Sequence, residues 1–324
     1  ATVNANGGIN GASLKLVTLD DEYKTEQTVK LAREVIRDSK PIALTGVVGT
    51  GNVAALLSEK VLDEAGIPLV GVRSGASSLV NTTNPWLFVT RASYADEITK
   101  ILELYSMTGN SRFAVFYQND SFGQDGLANA ERLIAQFKGQ LVAKASYEKN
   151  TTDVAAAVKT IHAASPQAVI MISNTAASAE FVKQMRSIGN VSQLTTLSTT
   201  DDPQVVSKIG AESAKGLAIT QVVPAPSALS VSLIKEIQAA YKRFPNPEIA
   251  LNHTMIEGYL AAKIIGEGLR KAGPNATRKQ LRDALKTIKN QDFGGLTANF
   301  SGNSQAGVQF VDITILNKEG KLLR

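Results

Sequence analysis

Strand-sized apolar runs alternate with helix-periodic segments through the first two thirds of the chain, and this alternation constrains the fold more than any other feature. Leu14–Leu19, Ile42–Thr45, Leu69–Val72, Phe113–Tyr117, Leu141–Ser146, Ala168–Ile172, Leu194–Leu197 and Leu217–Gln221 read as strands. Between them, Thr25–Asp38, Val53–Ala65, Gly126–Phe137, Val154–Ala164 and Ser178–Ile188 carry apolar residues at helical spacing. Such an order builds parallel sheets with helices on both faces, so the class is α/β. Gly66-Ile67-Pro68, Gly109-Asn110-Ser111, Ser165-Pro166 and Gly189-Asn190 stand where helices end, supplying the left-handed or φ-fixed residues that stop them. The strands are too many for one sheet of ordinary size, so two sheets and two lobes are expected.

After Gln221 the rhythm changes. A proline-containing connector, Val222-Val223-Pro224-Ala225-Pro226-Ser227, leads into the helical segments Ser230–Phe244, Ile249–Ala272 and Arg278–Lys289, and two strand-like pieces follow at Gly295–Phe300 and Val308–Leu316. Three helices with so few strands cannot cover a sheet of their own, so they are expected to pack back onto a lobe already made.

Composition removes several kinds of chemistry. The 324 residues contain no cysteine and two histidines, His162 and His253, which excludes thiolate nucleophiles, disulfides and cysteine- or histidine-rich metal centres. The formal charge of +5 is dispersed, with no block of like charges, which argues against a nucleic-acid partner. No apolar run nears the roughly 18 residues of a membrane-spanning helix. Ala1–Gly11 has neither a basic stretch nor an apolar core, so any export signal is expected to have been removed before this sequence begins.

The most chemical-looking segment is Ile42–Ala54, IALTGVVGTGNVA, a strand running through glycines into a helix. Gly49–Ala54 fits the dinucleotide pattern G-x-G-x-x-G/A. The acid that would hold a ribose is absent after the next strand, where Arg73-Ser74-Gly75-Ala76 follows. An NAD(P)-dependent oxidoreductase is therefore one alternative. A second is a glycine-rich turn with no ligand, and a third is that Thr50-Gly51-Asn52 and Ser74-Gly75-Ala76 offer hydroxyls and backbone N–H groups to a carboxylate, since neither a lysine nor a glycine run is present to wrap phosphates. In the second lobe the strand ends carry Tyr117–Gly123, Ser173–Ala176 and Ser198–Pro203, whose aromatics and amides could clasp an organic body. There Asp201 or Asp202 is either an ammonium contact or an ordinary helix cap. Asn119-Asp120-Ser121 with Asp125 lacks the bidentate glutamate of a calcium loop. With no G-x-S-x-G turn and no cysteine, His253 has no evident nucleophile to serve, and is read as a rim contact or a packing residue.

Taken together, the chain resembles the type I periplasmic solute-binding proteins of ABC importers, in the branched-chain amino-acid-binding group. Val3–Gly11 with Leu14–Asp21 (LKLVTLDD) is similar to that family's opening segment after its first strand and helix. Phe116–Gly123 (FYQNDSFG), Ala211–Leu217 (AESAKGL), Glu257–Ala262 (EGYLAA) and Gly294-Gly295-Leu296 are further matches. The resemblance implies two Rossmann-like, doubly wound lobes of the Venus-flytrap kind, joined by three crossings near Ala92–Ala95, Gln221–Val223 and Gly307–Gln309. Residues 1–94 with 223–308 would form the first lobe, and 95–222 with 309–324 the second. It implies that Thr50, Gly51, Ser74, Gly75 and Ala76 hold a ligand carboxylate. Phe122, Asn174 and the Thr199–Asp202 loop, with Asp201, would close over it, Thr254 or its neighbour His253 would line the pocket, and Tyr94 is a further expected ligand contact. It further implies no cofactor, metal or catalytic residue, a membrane permease as partner, a monomer and a periplasmic location. The family's opening strand has no counterpart here. Asn174 stands where amino-acid binders often carry an aromatic, and Thr199 where the ammonium-binding acid would be unless Asp201 substitutes. An aromatic or aliphatic acid without an amino group is thus a second ligand class. A sensory ligand-binding domain shares the fold, but would need a membrane or signalling segment.

Overall fold

The computed structural model describes residues 1–246, 249–302 and 305–323. The chain divides into two compact units, Ala1–Ala92 with Val223–Phe310, and Ser93–Val222 with Val311–Arg324, and so passes from one to the other after Ala92, Val222 and Phe310.

In the second unit a seven-stranded sheet runs in the order Leu322–Leu323, Asp312–Leu316, Ala218–Gln221, Gln193–Thr196, Ala168–Ile172, Arg112–Gln118, Gln140–Tyr147. The five strands from Ala218–Gln221 to Gln140–Tyr147 are parallel neighbours, while Asp312–Leu316 returns antiparallel beside Ala218–Gln221. Ala168–Ile172 is buried at every residue, because helices cover both faces of a parallel sheet and leave no solvent side. The helices are Tyr94–Met107, Ser121–Gln136, Ala155–Ala163, Thr175–Ser187 and Asp202–Ala214. Phe116 is stacked between Phe181, at 4.1 Å, and Tyr147, at 5.0 Å.

The first unit contains a smaller parallel sheet, Leu44–Thr45, Leu69–Val70 and Leu87–Phe88 in that order. Helices Thr25–Asp38, Thr50–Ser58 and Val61–Ala65 come from the first part of the chain. The tail helices Ser232–Arg243, His253–Ala272 and Arg278–Lys286 join the same unit, with the antiparallel pair Gln291–Asp292 and Thr297–Ala298. Val70 and Phe88 on the sheet pack with Ile256, Leu260, Ile264, Leu281, Leu285 and Phe300, so the tail completes this core. Gly71 allows the close approach: a Cβ there would lie 2.3 Å from that of Ala261.

The expected two sheets, α/β class and returning tail are therefore present, and several element boundaries are corrected. Leu14–Leu19 is not a strand. No strand among the described residues pairs with it, Leu16 is 77% exposed, and the side chain of Asn4 binds both backbone groups of Leu14 at 2.7 and 2.8 Å. β propensity without a ladder partner leaves an extended segment and no more. Val53–Ala65 is two helices, interrupted at Lys60, which takes a left-handed conformation (φ 55°). The two-residue strand Leu87–Phe88 and the helix Tyr94–Met107 were not anticipated, while the helix-cap reading of Asp201 is met by Asp202–Ala214, which is kinked at Gly210 (φ 77°). No helix among the described residues is long and apolar enough to cross a membrane.

Phe181 is fully buried against Phe116. Phe181→Ala is expected to destabilise the second unit by about 3–5 kcal/mol through lost burial and an unfilled cavity, measured as a lower urea midpoint at unchanged slope.

Candidate functional site

In the first unit the parallel ladder continues beyond the strands and sets the register of the candidate loops. Gly46 N–H donates to Gly71 O at 3.0 Å, Arg73 N–H to Val47 O at 2.8 Å and Gly49 N–H to Arg73 O at 3.3 Å. The next residue on each side is then Thr50 and Ser74, whose hydroxyls are hydrogen-bonded at 2.8 Å with both residues buried. Gly49 has φ 100° and carries the ring of Tyr23 against its α-carbon, where a Cβ would meet Cε2 at 2.4 Å. It is the N-cap of Thr50–Ser58 and supplies no side-chain cap, so the positive end of this helix lies beside the hydroxyl pair. Gly51 falls in the first turn, half-buried, while Gly75 and Ala76 are buried beyond Ser74. Asn252 caps the long tail helix by accepting Met255 N–H at 2.9 Å. This fixes His253, which is buried, and Thr254, half-buried, at its start. Arg73 Nη1 donates to Thr254 Oγ1 at 2.8 Å and so links the Ser74 loop to that helix. One turn further along, Glu257 forms an ion pair at 3.2 Å with the buried guanidinium of Arg91.

In the second unit, helix caps define the loops. Asp120 accepts the N–H groups of Phe122 and Gly123 at 3.0 and 3.2 Å, which brings Phe122 onto Tyr94 with ring centroids 5.2 Å apart. Both rings are buried. Asn174 accepts Ala177 N–H at 3.1 Å, and its Nδ2 donates to Gln118 Oε1 at 3.3 Å. The Tyr147 hydroxyl donates to the same Gln118 oxygen at 2.9 Å and accepts Asn174 N–H at 3.1 Å. Asp201 accepts Gln204 N–H at 3.1 Å as cap of Asp202–Ala214, while its own N–H donates to Thr175 Oγ1 at 3.0 Å. Thr199 Oγ1 donates to Ser173 O at 3.1 Å. Below the loop lies a buried hydroxyl cluster of Ser173, Ser178, Thr196 and Thr200, with oxygens 2.7 to 3.4 Å apart.

The expected residues therefore form two groups, each assembled within its own unit: Thr50, Gly51, Ser74, Gly75, Ala76, His253 and Thr254, and Tyr94, Phe122, Asn174, Thr199 and Asp201. Sequence reasoning named Arg73 and Gln118 without their supporting roles, and missed Tyr147 and Glu97, whose side chains hydrogen-bond Asn174 and Ser198. Glu97 had a legible signal, since it falls on the apolar stripe of Tyr94, Ile98, Ile101 and Tyr105, where an acid calls for a partner. Among the described residues no three His, Asp or Glu side chains are grouped to hold a metal ion.

A family model described as "Periplasmic binding protein" matches residues 1–321. The chain belongs to that family. Within it, the chain is similar to a substrate-binding periplasmic protein of Ralstonia solanacearum, with 37% identity, a TM-score of 0.94 and coverage of 99% of this chain and 91% of that one. A branched-chain amino acid transporter substrate-binding protein of Streptococcus pneumoniae, solved with isoleucine, is 18% identical with a TM-score of 0.85, covering 100% of this chain and 89% of that one. At that identity the likeness concerns the fold alone. An amino acid binding protein of Pseudomonas aeruginosa is 28% identical over 67% of this chain, and the match spans 58% of that relative's length. The two-lobed architecture of type I periplasmic binding proteins is thus the one this chain adopts.

Asp201 acts as a helix cap, and asparagine caps about as well as aspartate. Asp201→Ala is expected to cost about 1 kcal/mol of stability and Asp201→Asn less than about 0.5 kcal/mol, read from chemical denaturation of the two variants side by side.

Proposed function

We propose that the chain is the extracytoplasmic solute-binding protein of an ABC importer, located in the periplasm. In this reading it takes a small hydrophobic amino acid or a related carboxylate and presents it, as a monomer, to a membrane permease. The observation that carries the reading is the buried Thr50–Ser74 hydroxyl pair beside a helix start with no side-chain cap. Hydroxyls and the positive end of a helix match a carboxylate in charge and geometry, and a ligand oxygen would complete the helix as a cap does. Family membership and the amino-acid-binding relative support the same choice. Ligand would stabilise a closed arrangement of the two units about the three crossings, and the permease would recognise that arrangement. Besides hydroxyls, amides and aromatic rings the candidate groups include Asp201, which is committed as a helix cap, and His253, which has no evident nucleophile to serve, so we read the protein as a binder and not an enzyme.

The ligand class turns on the second unit. In an amino-acid ligand the ammonium needs oxygen acceptors. Thr199 Oγ1 donates to Ser173 O, and Asp201 accepts the first-turn N–H of Gln204. Each keeps part of its accepting capacity, Thr199 its hydroxyl lone pairs and Asp201 the remaining lone pairs of its carboxylate, so an ammonium can still be met, and aliphatic or aromatic acids lacking an amino group stand as the second reading.

Thermal-shift measurement against L-leucine, L-phenylalanine, isovalerate, benzoate and NAD(P) separates the readings. Amino acids or simple acids are expected to raise the melting temperature and NAD(P) to leave it unchanged, while a shift with NAD(P) alone would favour the oxidoreductase. Thr50→Ala is expected to weaken the carboxylate that binds by about 1–3 kcal/mol in calorimetric titration, and unchanged affinity removes Thr50 from the site. Asp201→Asn, which keeps the cap, is expected to lower affinity only for ligands bearing an ammonium group.

A further inference from the structure

Glu97 is fully buried on the helix Tyr94–Met107, yet none of the roles proposed so far uses it. Its Oε2 accepts the backbone N–H of Ser198 at 2.8 Å and also the hydroxyl of Thr220. Burying a carboxyl group in a core is costly unless its hydrogen bonds are made, so the position demands a reason beyond packing. Ser198 is the second residue after the strand Gln193–Thr196 and opens the loop that carries Thr199 and Asp201. Each residue of this loop is fastened in turn: Ser198 through Glu97, Thr199 through Ser173 O, Thr200 through Ser178 and Thr196, and Asp201 through Thr175. The first of these anchors differs from the rest. Thr175, Ser178 and Ser173 lie on the neighbouring strand-to-helix turn, whereas Glu97 comes from the helix that opens the unit five residues after Ala92, where the chain enters it. Thr220, sharing the same oxygen, stands two residues before Val222, where the chain leaves again.

We infer that Glu97 is a positioning residue. It fixes the backbone of Ser198–Asp201 for ligand and ties that loop to the two segments by which the chain enters and leaves the second unit. Binding groups must be held to within about 0.5 Å by the residues behind them, and a loop released at its first residue loses that precision while the sheet below stays intact. The inference rests on the solute-binding reading for what the loop does, but not for how the loop is held.

The experiment is hydrogen–deuterium exchange on the ligand-free full chain, comparing wild type with Glu97→Gln and Glu97→Ala. Glu97→Ala is expected to raise exchange in peptides covering 197–202 and 218–222 by roughly ten-fold, with Ala168–Ile172 unchanged. Glu97→Gln keeps an oxygen acceptor and is expected to show a smaller rise at the same peptides, and it decides the matter should the alanine variant not fold. Unchanged exchange at 197–202 in Glu97→Gln and in any folded Glu97→Ala, or loss of protection spread through the sheet, overturns the inference. In a second arm, L-leucine is titrated into wild type and Glu97→Gln, with a several-fold faster dissociation expected for the variant. If L-leucine fails to bind wild type, that result counts against the amino-acid reading alone, and the exchange data still decide the role of Glu97.

Discussion

At the carboxyl end of a parallel strand the chain turns into a helix whose first N–H groups have no acceptor within that helix, and what meets those donors organises both candidate groups. In the second unit the helix starts beside the candidate residues are closed internally, although Ala155–Ala163 begins at Val154 without a side-chain cap. Asp120, Asn174 and Asp201 each accept a first-turn N–H, and Ser93 forms a reciprocal capping box with Asp96. In the first unit, Thr50–Ser58 begins at Gly49, which has no side chain to offer. The helix starts beside the second unit's candidate residues are thus closed by the protein's own side chains, whereas the start at Thr50 has no side-chain cap. Gly49 is also required by its left-handed φ and by the ring of Tyr23, so the same residue shapes the turn and withholds the cap.

The strand–helix rhythm was legible because it is periodic. Thr25–Asp38 and Ala168–Ile172 have the limits their patterns suggest, since an amphipathic stripe and an unbroken apolar run follow directly from which faces are covered. Leu14–Leu19 misled because its composition is that of a strand, whereas strandhood is a property of pairs, and no ladder forms there among the described residues. Tyr94–Met107 was legible in retrospect, because Ser93-Tyr94-Ala95-Asp96 is a capping-box spacing. Thr50 and Ser74 could be named from their positions after strands. Their contact at 2.8 Å could not, because it depends on the register between two strands that only the folded ladder sets.

The supporting residues were the least visible for a physical reason. Gln118, Tyr147, Arg73 and Glu97 act on residues 27 to 181 positions away, through single hydrogen bonds that leave no local pattern. What the sequence does carry is a contradiction, a polar or charged group at a position that periodicity assigns to the core. Glu97 is such a case, as is Arg91, buried and answered by Glu257. Reading such contradictions as requests for distant partners would have found the anchors, though not their identities.

Glu97 and Tyr105 lie on one helix and both reach the sheet, the first through Ser198 and Thr220, the second through Thr195. The helix is thus fastened in its first turn and near its end, while Ser93 and Asp96 close its start. A helix so held cannot slide against the sheet without breaking hydrogen bonds that have no water to replace them. The Ser198–Asp201 loop therefore shares the rigidity of the sheet it rises from, although it is a loop. In the first unit the corresponding groups rely on ladder register, on the Asn252 cap of the tail helix and on the Arg73–Thr254 hydrogen bond. On the proposed function, this divides the labour: the uncapped helix start supplies the attraction for an acid, and the internally satisfied loops of the second unit supply a fixed shape against which the rest of the solute is selected. Selectivity of that kind comes from polar groups already committed to one another, which a poorly matched solute would have to displace.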